Sequence, residues 1–351
     1  MKKVLLGICS GLLALQLSSC SEDFKIAAPY KDVTIVYGLL SYGDTAQYIR
    51  IQKAYMDENR SALELAKIAD SNFYRNLEVH LKTLDGPTVT ADVKLDKVDL
   101  NAEGYPKEPG TFFTTPSYAY KLRSRDRDTL DQTKKYRLVI LNKETGDKDS
   151  AETDIITNLP SAGFFPVTEF LRPTYAIDFS NNNAQTKFTL TIPNPTPVAK
   201  YFEGYLRFKY VTKEDNVQKD SFFIWRFATT VPVGGSAKLE VPTNQFFPMV
   251  KALIPPAKSN QIRYVDSADL YVWAADQNYY NYMVANQIVG GITADQVKPI
   301  FTTIQGTDAL GLFGSRARRI RYNIPLNDAT VDSLKRSIYT RDIGFDGRSD
   351  H

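Results

Sequence analysis

The stretch that decides the fold is "VTIVYGLLSYGDTAQYIRIQKAY", Val33 to Tyr55. Apolar and polar residues alternate on both sides of Ser41-Tyr42-Gly43-Asp44-Thr45. The flanks are rich in the β-branched and aromatic residues that suit a pleated, half-buried surface. A turn-rich link between two such runs predicts a β-hairpin. The same logic extends outward. "LEVHLKTL" alternates Leu77, Val79 and Leu81 with Glu78, His80 and Lys82, and "TVTADVKL" follows it after Asp85-Gly86-Pro87, a turn signal. "KKYRLVILN" and "DSAETDIITN" form a third hairpin pattern across "KETGDK". One helix is expected in this part, at "RSALELAKIA" (Arg60 to Ala69), from its good helix formers and its apolar Leu63, Leu65, Ala66 and Ile68.

The pattern breaks near "NLPSAGFFP", Asn158 to Pro166, where a domain boundary is expected. Beyond it strands recur at "YAIDFS", "KFTLTIP", "EGYLRFKYV", "SFFIWRFA", "AKLEV", "ADLYVWAA" and "RRIRYNI", with prolines confined to the links "IPNPTPV" and "LIPPAK". Helices are expected at "DQNYYNYMVANQI" and "DATVDSLKRSI". Strands spaced by turns, with few helices, predict an all-β protein: two β-sandwich, Ig-like domains with a few short helices. These would span 31–158 and 166–339, and the polar residues 340–351 would form a flexible tail.

The first thirty residues carry no such alternation. Lys2 and Lys3 precede an apolar run from Val4 to Leu17, too short for a ~20-residue membrane span and suited to a secretory signal. The run closes on Leu17-Ser18-Ser19-Cys20, which resembles the bacterial lipobox. That resemblance implies cleavage before Cys20, acylation of its thiol and a tether over 20–30. Two or more acyl chains, at ~0.8 kcal/mol per buried CH₂, suffice for stable anchoring. Cys9 would leave with the signal, so the mature body would have no thiol for a disulfide, a metal or catalysis. Loss of Lys2 and Lys3 lowers the formal net charge from +3 to +1, which gives no global field to attract nucleic acid.

Residues that could carry chemistry are few. The two histidines, His80 and His351, are far apart in sequence, so neither a zinc site nor a serine triad is expected. Asp266, Asp269 and Asp276 lie close in sequence, which by itself gives neither a shared cleft nor a raised pKa; they read as solvated loop acids. Calcium loops, P-loops and dinucleotide glycine patterns are absent. The sequence therefore predicts no catalytic residue, no metal and no cofactor.

Aromatic residues are in excess, with 21 Tyr and 19 Phe, and they cluster in "GTFFTTPSYAY", "SFFIWRF" and "LYVWAADQNYYNY". In "SFFIWRF", Phe222 and Ile224 fall on one strand face and Phe223, Trp225 and Phe227 on the other. Either the helix around Tyr279–Tyr282 covers the second apolar face, which is the simpler arrangement, or an aromatic surface is left for a ligand such as a glycan or peptide. Trp225, Trp273, Tyr279, Tyr280 and Tyr282 are its candidate residues. "RSRDRD" (Arg123 to Asp128) alternates in sign and reads as a solvated loop. In "GSRARRIRY", Arg316, Arg318, Arg319 and Arg321 have no acid among them. They suit an anionic surface or a charged edge strand that discourages aggregation.

Two features resemble known lipoproteins. The acids after the lipobox, Ser21-Glu22-Asp23, resemble the surface-export signal of Bacteroidota lipoproteins. "VTIVYGLLSYGDTAQYIRIQKAY" resembles the N-terminal hairpin of a large uncharacterised Bacteroidota outer-membrane lipoprotein family. "ADLYVWAADQNYYNYM" followed by "KPIFTTIQGTDALGLFGSR" is similar to that family's closing motif, with Gly306, Gly311, Phe313 and Gly314 matching its Gly-rich segment. The glycines read as turn positions with positive φ. The resemblance covers the two ends of the chain and departs at Thr307–Leu310, which lengthen the link. It implies a cell-surface lipoprotein of the outer membrane, without enzymatic activity, in a binding or accessory role beside a TonB-dependent transporter. The alternatives are a fimbrial or adhesin-type subunit, cut at Arg60-Ser61, and a glycan-active hydrolase.

Overall fold

A computed structural model describes residues 31–56, 62–110, 113–123, 130–156, 176–193, 195–215, 217–287, 301–306 and 308–349. The leader, Cys20, the acids Ser21, Glu22 and Asp23, the boundary expected at 158–166 and most of the 123–128 charge run lie outside these residues. Strand accounts for 53% of the structure and helix for 13%, which makes the protein all-β with a few short helices.

The opening hairpin forms as expected. β1 (Lys31–Ser41) and β2 (Ala46–Met56) pair antiparallel, with Gly43 at φ 88° in the turn. β3 (Leu77–Asp85), β4 (Thr88–Lys94), β7 (Lys135–Asn142) and β8 (Lys148–Asp154) form a four-stranded sheet in the order β4-β3-β7-β8. β5 (Asp96–Asp99) and β6 (Tyr118–Arg123) extend the first hairpin. In the second half, β9 (Lys187–Pro193) and β12 (Ser236–Pro242) pair as a two-stranded sheet. β10 (Tyr201–Glu214), β11 (Val217–Thr230), β13 (Gln261–Ala275), β14 (Ala309–Ile324) and β15 (Phe345–Arg348) join β1, β2, β5 and β6.

The two halves therefore share one nine-stranded sheet, ordered β11-β10-β13-β14-β1-β2-β6-β5, with β15 beside β13. The joint is the parallel pair β1–β14, in register from Thr34–Ala309 to Ser41–Arg316. Each half still has its own core, on the same face of this sheet. One core packs Val36, Ile49 and Phe313 against Val79, Leu138 and Ile140 of the four-stranded sheet. The other packs Leu206, Phe208, Trp225 and Val272 against Leu190, Leu239 and the helix α1 (Phe246–Leu253). On β14, Phe313 belongs to the first core and Ala317 to the second.

Several expectations are corrected. The helix over Arg60–Ala69 is reduced to two single turns, Ala62–Leu65 and Ala69–Asn72. The Asn72 amide donates to the carbonyls of Leu65 (3.2 Å) and Ile68 (2.8 Å), closing the first turn instead of prolonging it. "YAIDFS" supplies only a single bridge, Ile177 to Leu326. α1 was not legible, because Phe246, Phe247 and Val250 lie close to Pro248; that proline sits in the first turn, where its missing N–H costs little. Residues 340–349, expected as part of a flexible tail, do not fray. Thr340, Ile343 and Phe345 are buried, β15 pairs with β13, and the buried Arg263 guanidinium donates to the carbonyls of Pro255 (3.0 Å) and Ile343.

Two of the glycines of "QGTDALGLFG" are not turn residues. Gly311 and Gly314 lie within β14, and each makes room for a close approach. Gly311 has φ 126°, and a Cβ there would lie 1.9 Å from the Val36 carbonyl oxygen. A Cβ at Gly314 would lie 2.8 Å from the Asp276 carboxylate, and one at Gly306 would lie 1.9 Å from that of Asp149. Asp276 is no solvated loop acid. It caps the helix α2 (Gln277–Gln287) by accepting from the Tyr279 amide (2.9 Å), and it also accepts from the Ser315 amide and the Thr153 hydroxyl, both at 2.8 Å. Burial raises its pKa, although these three donors oppose the shift. Asp269 is likewise buried, with Lys209 at 3.0 Å.

Candidate binding face

The two cores occupy one face of the large sheet, and the opposite face is crossed by α2. Strand alternation decides what it presents. On β10, Tyr201, Glu203 and Tyr205 stand opposite Ala275, Trp273 and Tyr271 of β13. Trp273 and Ala275 in turn stand opposite Arg318 and Arg316 of β14. Residues directly opposite each other share a face, so these side chains converge. Of these, Tyr201, Glu203, Tyr205, Trp273, Ala275 and Arg316 line, with Tyr279 of α2 and Leu39 of β1, a hollow of about 180 Å³.

Polar contacts hold the hollow in shape. The buried Glu203 carboxylate accepts from Arg226 Nη2 (2.6 Å) and from the Tyr205 hydroxyl (2.7 Å), and Arg226 Nη2 also donates to the Tyr201 hydroxyl (2.7 Å). The rings of Tyr201 and Tyr279 lie 5.8 Å apart. Burial raises the pKa values of Tyr201, Tyr205 and Tyr279, with Glu203 adding to the shift in each, so all three stay neutral hydroxyls at physiological pH. The guanidinium carbons of Arg316 and Arg318 lie 5.2 Å and 5.7 Å from the Trp273 ring centroid, within cation–π range.

Arg316 is the least compensated of these groups. Burial lowers its pKa against an opposing effect of the Asp44 carboxylate, its Nε is buried without a hydrogen-bond partner, and no carboxylate among the described residues lies within ion-pair distance. Among the described residues Arg318 has one ion-pair partner, Asp44, at 4.0 Å. Arg316 and Leu39 also border a second hollow of about 700 Å³ over β2 and β6, lined by Tyr48, Tyr105, Lys121 and Arg123. There Lys121 lies 5.3 Å from the Tyr48 ring and is ion-paired with Glu103, and Arg123 lies 3.7 Å from Asp96. The two hollows adjoin at Leu39 and Arg316 and are together called the groove.

Of the residues singled out from sequence, Trp273, Tyr279, Arg316 and Arg318 meet in this groove. Tyr280 lines a separate hollow beside Pro197 and Pro232, and Tyr282 packs edge-on against Tyr37, with centroids 6.3 Å apart. Trp225 is a core residue among Phe179, Phe227 and Phe246, and Phe223 and Phe227 are buried with it. The layer over that face is α1 with β9 and β12, not the helix carrying Tyr279–Tyr282. Phe222 and Ile224, on the other side of β11, are exposed, with the Arg207 guanidinium 3.8 Å from the Phe222 ring. The arginine run is split by the pleat: Arg319 and Arg321 stand opposite the core residues Val272 and Leu270, on the face away from Arg316 and Arg318.

The trio Tyr201, Glu203 and Tyr205 was missed. Its signal is the alternation in "YFEGY", where amphipathic residues share one face and Phe202 and Gly204 the other. A Cβ at Gly204 would lie 2.4 Å from the Phe227 ring, so the glycine admits that ring to the core. Among the described residues, no group of three or more His, Cys, Asp or Glu side chains could hold a metal ion. No protein-family model matches the chain, and no curated protein is similar to it.

Proposed function

We propose that this protein is a lipid-anchored lipoprotein of the outer membrane, exposed at the cell surface, that binds its ligand without catalysis on the open face of the large sheet, in an accessory role beside a TonB-dependent transporter. The lipobox at Cys20 and the acids Ser21, Glu22 and Asp23 support the address. The groove carries the binding role, because Tyr201, Tyr205, Trp273 and Tyr279 converge beside Arg316, whose Nε is buried without a hydrogen-bond partner. Glycoside hydrolysis needs two carboxylates. Among the described residues lining the two hollows the acids are Glu203, which Arg226 neutralises, and Asp44, 4.0 Å from Arg318, each held against a cation. That arrangement favours binding over hydrolysis. The two cores, each a smaller sheet over half of the large one, support a description as two sandwich-like lobes.

The test is purification of the lipidated protein from outer membranes in mild detergent, beside the Trp273→Ala/Tyr279→Ala variant and after labelling of cells with radioactive palmitate. The label should enter the wild type and be absent from Cys20→Ala. A transporter or a small molecule should elute with the wild type and be shed by the groove variant. An unlabelled protein, or one that retains the same companions with and without the groove rings, refutes the reading.

A fimbrial or adhesive subunit is the second reading. It draws on β11, a fourteen-residue strand that ends the sheet and exposes Phe222 and Ile224, since open edges invite a further strand. Filaments on the cell surface that contain this chain would favour it.

A further inference from the structure

We infer that the groove takes an anionic oligosaccharide, a chain of sugar rings bearing carboxylate or sulfate groups. The inference rests on the reading of this face as a binding site and names what binds there. Three observations on the groove carry it.

The first is Arg316. A half-buried guanidinium with an unpartnered Nε, which Asp44 reaches only through space and which no described carboxylate meets as an ion pair, is costly to keep dry, and an anion supplied by the ligand offsets that cost. The second is Trp273. Arg316 and Arg318 stand two residues apart on one strand face, both against the same indole ring. A ligand that meets the ring and either guanidinium must therefore present an apolar face and an anion within one residue of itself. The third is what surrounds them. The Glu203 carboxylate and the hydroxyls of Tyr201 and Tyr205 suit neutral hydroxyl groups, whereas a second anion beside Glu203 would be repelled. Past Leu39 a ring and a cation also meet, at Tyr48 and Lys121, although Glu103 already neutralises that lysine.

Uronic and sulfated sugars combine these features, with a C–H face, hydroxyls and one anion per ring, repeated along a chain. Acidic peptides lack the ring face. Single-stranded nucleic acid has rings and phosphates, but a chain with a near-neutral balance of charge lacks the excess of cations on which such binding depends.

The protein carries its own reporter. Trp273 lines the groove and Trp225, the second tryptophan, is buried in the core. Tryptophan fluorescence and calorimetry should be followed during titration with oligogalacturonate, chondroitin sulfate oligosaccharide, a neutral galactan oligosaccharide of equal length, oligoglutamate and oligothymidylate. One or both anionic saccharides should bind saturably and more weakly as ionic strength rises. Binding should weaken about tenfold in Arg318→Gln, the loss expected for one charge-assisted hydrogen bond. Arg318 is 51% exposed, so this variant should fold even where Arg316→Gln does not. Equal binding of the neutral galactan would overturn the anion requirement and leave the binding face standing. Preference for oligoglutamate or oligothymidylate would overturn the saccharide. Silence with all five probes would overturn the inference, while the membrane purification judges the binding face independently.

Discussion

Replacement of Gly311 by alanine tests the joint on which the whole sheet depends. At φ 126° an L-residue is strained, at ~1–3 kcal/mol. The new Cβ would lie 1.9 Å from the Val36 carbonyl oxygen. A tolerable carbon–oxygen contact is ~3.3 Å, so β1 and β14 would have to part by more than ~1 Å. Parting stretches the ladder bonds around Val36, each worth ~1 kcal/mol, and draws Phe313 away from its core. The sum is a destabilisation of ~3–6 kcal/mol. At ~2.1 cal/mol/K per residue over ~300 ordered residues, Tm falls by ~5–10 °C. Thermal melts followed by circular dichroism and calorimetry measure it, with Gly110→Ala as the control. Gly110 has open space around its Cα and no positive φ, so its change should stay within ~0.5 kcal/mol. Because the joint links two cores, the Gly311→Ala transition should also broaden or split. If Gly311→Ala melts with the control, the parallel register of β1 and β14 is wrong.

Three further outcomes follow from the same geometry. In Trp273→Phe the remaining indole is the core Trp225, so emission should shift to the blue and resist acrylamide, whereas Trp225→Phe should stay quenchable; equal quenching in the two variants would contradict the assignment of faces. Arg263→Ala removes the donor that ties Pro255 and Ile343 together, and it should cost ~2–4 kcal/mol through the unpaired carbonyls and the cavity it leaves. Hydrogen exchange should then rise across Phe345–Arg348, and unchanged protection there would refute the clasp. Asp149 has its pKa raised by burial and by Asp147 and Asp308, against a lowering by Thr34. Its folded state holds the proton more tightly than the unfolded chain, so this carboxylate costs stability as pH rises through the folded value. The urea midpoint of Asp149→Asn relative to wild type should therefore increase from about pH 4 to about pH 7, and a flat difference would refute the effect of burial.

The open face explains why half of the site was legible. Trp273, Tyr279, Arg316 and Arg318 stand out by type, as bulky aromatics after a strand and as arginines without acids. Tyr201, Glu203 and Tyr205 do not, because a tyrosine on a strand reads equally well as core or surface. Trp225 shows the converse. Its environment depends on which layer covers β11, and α1 with its Pro248 gave no periodic warning of that layer.

By itself the sequence determined most of the longer strands, since a side-chain period of two can be read locally. It likewise set the hairpins at Gly43 and Gly86, where a turn needs a positive φ, and the amphipathic helix Asp328–Arg336. Only the tertiary structure decided that β14 lies beside β1. Alternation says that a strand has an apolar face, but it does not name the partner along its edge. That partner is chosen by packing across the length of the chain, here by a glycine that lets two backbones touch. The same pairing brings Arg316 to Leu39 and turns two local clusters, one aromatic and one basic, into a single groove.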